Sequence, residues 1–143
     1  MVGFSTGGSV ALQLAIDHPD VVRRLALVSA ACRLGPEGRE VQARIAALVR
    51  EGRRREASGL MMSVLAVSEP ARRALTVAGR LLAPVLMRDD LDDMLATIDA
   101  EDAFDATSWL PEVGAPTLVV GGAHDRFSSR RTLEEVLRFL GEG

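Results

Sequence analysis

Met1-Val2-Gly3-Phe4-Ser5-Thr6-Gly7-Gly8-Ser9-Val10-Ala11-Leu12 is the stretch on which the reading of this chain turns. A short apolar stub enters a glycine-rich turn, and a mostly apolar helix pattern leaves it, running to Ile16 and stopped by His18-Pro19. Within the turn, Gly3 to Gly7 spell G-x-S-x-G, and the order strand, turn, helix is the context in which that pattern carries chemistry. A serine at such a turn adopts a strained backbone and stands exposed above the sheet, and Gly3 and Gly7 are expected to flank it because a Cβ at either place collides with the neighbouring chain. The backbone N–H of Thr6 then falls in the first helical turn, where unpaired donors and the positive dipole end can hold an oxyanion. Two blander readings compete. One is a glycine-rich turn with an incidental serine; the other is a phosphate cradle, which lacks both G-x-G-x-x-G and a Lys-Ser/Thr pair.

Outward from the turn, Leu25-Ala26-Leu27-Val28-Ser29 is a continuous apolar run without alternation, which fits a strand covered on both faces. The far end repeats the plan: Ala115-Pro116 precedes Thr117-Leu118-Val119-Val120-Gly121, and Leu133, Val136, Leu137 and Leu140 then mark a helical face. Strands alternating with helices predict a parallel sheet. The middle differs. Val41, Ile45, Leu48 and Val49 share one helical face, Leu75, Ala78 and Leu82 a second, and Leu91, Met94, Leu95 and Ile98 a third. The second helix is interrupted by Gly79 and expected to close early at Pro84. The chain therefore divides into a core segment 1–32, an all-helical insertion 33–110, and a second core segment 111–143. Met61, Met62, Met87 and Met94 read as helix-packing core, with an adaptable substrate-facing surface as the alternative.

Composition narrows the function. With 143 residues, 48% hydrophobic and 26% charged, the chain is of single-domain size and globular balance. A net charge of -3 gives no field for a nucleic-acid backbone, and Arg53-Arg54-Arg55 beside Glu51 and Glu56 reads as a solvated helix face. All 17 basic residues are arginine, which removes a lysine nucleophile or Schiff base. No apolar run is long enough to span a bilayer, so no membrane association is expected. The single Cys32 can form no internal disulfide and reads as a small buried hydrophobe; with no export signal, this favours a cytoplasmic location. Two separated histidines and one cysteine make no metal-ligand set, and no cofactor is expected.

The stretch from Gly3 to Leu12, His18-Pro19, the strand at 25–29, and Ala115-Pro116-Thr117-Leu118-Val119-Val120-Gly121-Gly122-Ala123-His124-Asp125 together resemble the α/β-hydrolase superfamily. The resemblance implies an α/β fold, a partial α/β-hydrolase parallel sheet with residues 33–110 as an inserted helical cap. It implies Ser5 as nucleophile, the Thr6 amide as one oxyanion donor, and Asp125 as the acid that orients a histidine. The order Ser, then Asp, agrees with the chain order of that fold. The implied function is hydrolysis of ester or related acyl bonds of small apolar molecules. By their positions, Asp99 and Asp105 read as surface or capping residues, and Trp109 and Phe127 as packing residues.

A serine needs a base within hydrogen-bond reach. His18 lies thirteen residues along the helix that follows Ser5, roughly 20 Å away at about 1.5 Å per residue. His124 adjoins the acid, whereas the resemblance places the base in a later loop. The sequence reaches Gly141-Glu142-Gly143 before such a loop, and only four residues precede Ser5. The expectation is an internal or truncated piece of a larger hydrolase, inactive alone, whose exposed sheet edge invites self-association. The alternative is a noncatalytic fragment or scaffold with this fold.

Overall fold

The computed structural model describes residues 1–88, 91–122, 125, 134 and 136–138. Three short parallel strands form one sheet in the order β1-β2-β3: β1 is Val2–Phe4, β2 is Leu25–Val28 and β3 is Thr117–Val120. The register aligns Val2, Ala26 and Leu118 in one row and Phe4, Val28 and Val120 in the next. The parallel arrangement agrees with the sequence expectation, and it fixes which strand ends lie together: all three carboxyl ends emerge on one edge.

Helix α1 (Thr6–Asp17) covers one face of this sheet. Its buried residues are Gly8, Ala11, Leu12 and Ala15, the i, i+3, i+4, i+7 stripe that a helix presents to a core. They pack with Leu25 and Leu27 of β2, and with Ala30, Cys32, Ala106, Leu110, Val113 and Val136. Leu12, Leu27, Leu110 and Val136 are fully enclosed, and burying each leucine contributes about 1.5–3 kcal/mol. Val136 thus belongs to the core, as its helical spacing predicts, while Leu137 is exposed; Leu133 and Leu140 lie outside the described residues.

By internal contacts the chain divides into two compact units, Met1–Arg39 with Ala100–Gly143, and Glu40–Asp99. Residues 33–39 and 100–110 fall in the first. There the backbones of Arg33 and Asp105 form an isolated antiparallel β-bridge, the amide of Ala106 donates to the Cys32 carbonyl at 2.8 Å, and Arg39 pairs with Asp102 at 3.3 Å.

The middle of the chain is helical, with one helix more than the three apolar faces had suggested: α2 (Pro36–Arg50), α3 (Arg54–Ser63), α4 (Glu69–Leu86) and α5 (Asp92–Ala103). Helix α2 starts on a proline, whose missing N–H costs nothing there. It is closed by Gly52, two residues past its end at φ 73, where the amides of Gly52 and Arg53 reach back to the Val49 and Leu48 carbonyls at 2.9 and 2.8 Å. That is a left-handed glycine cap closing the last turn. Helix α3 escaped the sequence reading because its contact face is made of small residues, Ala57, Ser58 and Gly59, and not of large apolar ones.

Those small residues explain a second correction. Helix α4 runs through Gly79 and Pro84 without a break and, at 18 residues, is the longest helix among the described residues. Gly79 does not interrupt the helix; it lets the helix approach α3. A Cβ on Gly79 would stand 2.5 Å from the Ser58 carbonyl oxygen and 2.9 Å from the Gly59 Cα. The Ser58 hydroxyl donates to the Gly79 carbonyl at 2.7 Å inside this contact, so the buried polar group is satisfied. Met87 is fully buried, and Met61 and Met94 pack on the same cluster with Ile45, Leu48 and Val49, the helix-packing role read from their positions.

Candidate active site

Ser5 sits between β1 and α1 with φ 50 and ψ -127. A non-glycine residue rarely adopts positive φ, and such a conformation costs on the order of 1–3 kcal/mol, held in place only by its surroundings. The surroundings here are specific. The Ser5 amide donates to the Val28 carbonyl at 3.0 Å, continuing the sheet ladder one residue past β1, and its own carbonyl accepts from the Gly8 amide at 2.7 Å, starting α1. Both partners of the peptide are committed, one to the sheet and one to the helix. The side chain is left exposed and makes no capping hydrogen bond to the helix it begins.

The turn is tight because of two glycines, one of which the sequence had not singled out. A Cβ on Gly3 would come within 2.6 Å of the Gly7 carbonyl oxygen and of the Gly8 Cα, so Gly3 is required as expected. At Gly7 the expectation fails: an added Cβ meets nothing within 4 Å, because this residue points outward from the first turn. The crowded position is Gly8, where a Cβ would lie 2.1 Å from the Ala30 Cβ. Gly8 is the point at which α1 closes onto the chain leaving β2.

Thr6 is the first helical residue and is exposed. Helix geometry leaves the first amides of α1, Thr6 and Gly7, without intrahelical acceptors. No acidic side chain occupies this first turn, so the positive end of the helix dipole is not offset locally. Ser5, Thr6 and the glycines of the turn, Gly3, Gly7 and Gly8, are therefore one continuous structure: an exposed hydroxyl next to unpaired donors.

Asp125 follows β3 by five residues and is half-buried. Its amide donates to the Gly122 carbonyl at 3.0 Å, closing a turn beyond the strand end. Because β1 and β3 flank β2 in parallel, Ser5 and Asp125 both follow carboxyl ends on the same edge of the sheet. At the ordinary strand spacing, β1 and β3 stand about 10 Å apart. Open α/β sheets bind ligands at this edge.

Another residue at this edge was not anticipated. Ser29, immediately after β2, has φ 47, and its amide donates to the Val120 carbonyl at 2.8 Å. It repeats at β2 what Ser5 does at β1, but it is half-buried and leads into Ala30, Ala31 and Cys32, all buried, with no helix beginning there.

The other candidate residues separate from the site. His18 caps the far end of α1, its amide donating to the Leu14 carbonyl at 2.9 Å, a full 12-residue helix away from Ser5. His124 and Phe127 lie outside the described residues. Asp99 pairs with Arg50 at 3.3 Å, and Asp105 accepts the Thr107 amide at 2.9 Å, so both serve the local structure, as their positions suggested. Hydrogen bonds from the Thr107 side chain and amide hold the Asp105 carboxyl below its usual range, against the opposing effect of partial burial. Cys32 is fully enclosed and accepts a weak hydrogen bond from the Thr107 hydroxyl at 3.7 Å. Trp109 packs edge-on against Phe104 with ring centroids 6.5 Å apart. Arg53 bridges Glu56 and Glu51, the solvated cluster read from the sequence. Among the described residues, no helix is long and apolar enough to cross a membrane.

Known proteins share this architecture. The chain is 32% identical over 98% of its length to the polyketide synthase ThaQ of Burkholderia thailandensis, of which it covers 7%. It is 29% identical, again over 98% of its length, to the pimeloyl-[acyl-carrier protein] methyl ester esterase of Neisseria meningitidis serogroup C, and covers 56% of it. The crystal structure of the enol-lactonase from Burkholderia xenovorans superposes with a TM-score of 0.71 at 25% identity, covering 96% of this chain and 52% of that one. The chain thus spans about half the length of the esterase and of the lactonase it matches. The family described as serine aminopeptidase, S33, matches residues 1–142, and the chain, with its parallel sheet and its glycine-framed serine turn, belongs to that family of α/β-hydrolases.

Proposed function

We propose that this chain carries the nucleophile and the acid of a serine hydrolase that cleaves ester or related acyl–oxygen bonds of small, largely apolar molecules. The observation that carries the reading is the backbone of Ser5: a non-glycine residue at φ 50, exposed, at the junction of a strand and a helix N-terminus. Ser5 Oγ attacks the acyl carbon, and the Thr6 amide receives the developing oxyanion where the helix dipole favours it. Asp125 orients an imidazole by accepting from its Nδ1–H and stabilises the imidazolium that forms. Residues 33–110 act as the helical cap that selects the acyl group. The names of two similar proteins, a methyl ester esterase and an enol-lactonase, support acyl–oxygen cleavage as the reaction class.

The imidazole is the part His18 does not supply, since it caps the opposite end of α1. This favours a second reading for the chain by itself, a noncatalytic fragment or scaffold with the same fold. The two readings part on one experiment. Incubated with p-nitrophenyl butyrate, chain 1–143 is expected to turn over no faster than Ser5→Ala, since a serine without a base is a poor nucleophile. Imidazole added to the buffer is expected to raise turnover by the chain above its effect on Ser5→Ala. A chain whose turnover with imidazole equals that of Ser5→Ala is a scaffold only.

A further inference from the structure

Ser29 lies between the two groups that the proposed mechanism has to connect. The register Phe4, Val28, Val120 is carried one residue further by the amides of Ser5 and Ser29, which donate to the Val28 and Val120 carbonyls at 3.0 and 2.8 Å. The next row at the carboxyl edge is therefore Ser5, Ser29, Gly121. At the ordinary strand spacing of about 4.8 Å, Ser29 is the neighbour of Ser5 on that edge, and it brings the one side chain of the row between Ser5 and the turn that carries Asp125. It is half-buried, with Ala30, Ala31 and Cys32 buried behind it. Its amide is committed to the sheet, while among the described residues no hydrogen bond engages its hydroxyl. Ser29 is also held at φ 47, and strained non-glycine residues of this kind gather at functional sites.

We propose that Ser29 is a positioning residue of the hydrolase: its side chain is the floor on which the imidazole between Asp125 and Ser5 rests, and its hydroxyl oxygen is a second acceptor for the ring N–H. The inference rests on the reading of Ser5 as nucleophile and Asp125 as acid. An imidazole that accepts from the Ser5 hydroxyl and donates to the Asp125 carboxylate has to cross the roughly 10 Å between β1 and β3, and the middle of that crossing lies over the end of β2. Residue 29 then acts on the ring in two separable ways. A side chain longer than that of serine fills the space the ring needs. A side chain without an oxygen leaves the ring N–H with the carboxylate as its single acceptor, so the ring is held less firmly in the orientation that serves Ser5. Serine is small enough for the first demand and polar enough for the second.

Rescue by free azoles tests this, because the added ring takes the place described. Chain 1–143 and its Ser29 variants are assayed with p-nitrophenyl butyrate over a concentration series of imidazole and of 4-methylimidazole, with the rate of Ser5→Ala subtracted and urea unfolding as the check on folding. In Ser29→Ala the imidazole concentration for half-maximal rescue is expected to rise about fivefold, the loss of one neutral hydrogen bond. Ser29→Gly adopts φ 47 freely and clears the floor; it should show the same rise and also accept 4-methylimidazole better, relative to imidazole, than the parent chain does. Ser29→Asn tolerates the left-handed backbone but fills the floor, and it should lower rescue about tenfold while still unfolding cooperatively in urea. A merely structural role would move the unfolding and leave the azole preference where it was. Ser5-dependent rescue with the same half-maximal imidazole and the same azole preference in all three variants overturns the proposal and leaves the reading of Ser5 standing. Rescue that is equal in chain 1–143 and Ser5→Ala overturns the reading of Ser5, and this proposal with it.

Discussion

Ser5 and Ser29 occupy equivalent places on neighbouring strands. Each follows the last residue of its strand, each has φ near 50, and each donates its amide to the next strand over, Ser5 to Val28 and Ser29 to Val120. Beyond that they diverge. Ser5 is exposed and opens a 12-residue helix, whereas Ser29 is half-buried and feeds directly into the core through Ala30 and Cys32. Positive φ by itself therefore does not distinguish the proposed nucleophile: both serines have it. What differs is the environment the chain builds afterwards, a helix N-terminus with free donors in one case and enclosed apolar residues in the other. The two turns are also joined, because Gly8 after Ser5 packs directly on Ala30 after Ser29.

That junction is where the comparison breaks most easily. Gly8→Ala places a Cβ 2.1 Å from Ala30 Cβ, and it is expected to destabilise the chain by about 2–3 kcal/mol in urea unfolding, with partial recovery in Gly8→Ala/Ala30→Gly. Gly7→Ala, with nothing within 4 Å, should by contrast be neutral or stabilising by up to about 1 kcal/mol, since alanine is the better helix former. If strain is shared equally by the two serines, Ser5→Gly and Ser29→Gly should each stabilise by about 1 kcal/mol in the same assay. A gain at only one of them would place the strain in a single turn.

The smallest expected effect lies away from both serines. Asp105 has a carboxyl held low by its hydrogen bonds to Thr107, so its contribution is present above the unfolded carboxyl pKa of about 3.9 and is lost as pH falls through the lower folded value. Asp105→Asn should cost about 0.5 kcal/mol at pH 7, a low figure because the site is open to solvent, and progressively less as pH falls through the lowered folded value.

Much of this was legible in the residues. The β-turn-α-β frame followed from an apolar stub, a glycine-rich turn and one helical stripe, because backbone turns of this kind demand particular residues. Parallel strands followed from continuous apolar runs. What escaped notice was close packing between small residues. Gly8 against Ala30, and Gly79 against Ser58 and Gly59, are contacts between positions 22 and about 20 apart in sequence, and a missing Cβ leaves no hydrophobic signature to read. The left-handed backbone of Ser29 left none either, since nothing in Val28-Ser29-Ala30 demands it. Asp125 was reached only through resemblance, and its relation to Ser5 rests on strand order and direction, which local sequence does not encode.

The comparison of the two serines comes down to reactivity. Treating chain 1–143, with imidazole supplied in the buffer as the base, with diisopropyl fluorophosphate and mapping the diisopropylphosphorylated peptides over time measures the nucleophilicity of every serine at once. The expected result is modification at Ser5 well ahead of Ser29 and of the remaining serines, and no fast-reacting site in Ser5→Ala. Equal labelling of Ser5 and Ser29, or a faster reaction at any other serine, contradicts the assignment of the nucleophile.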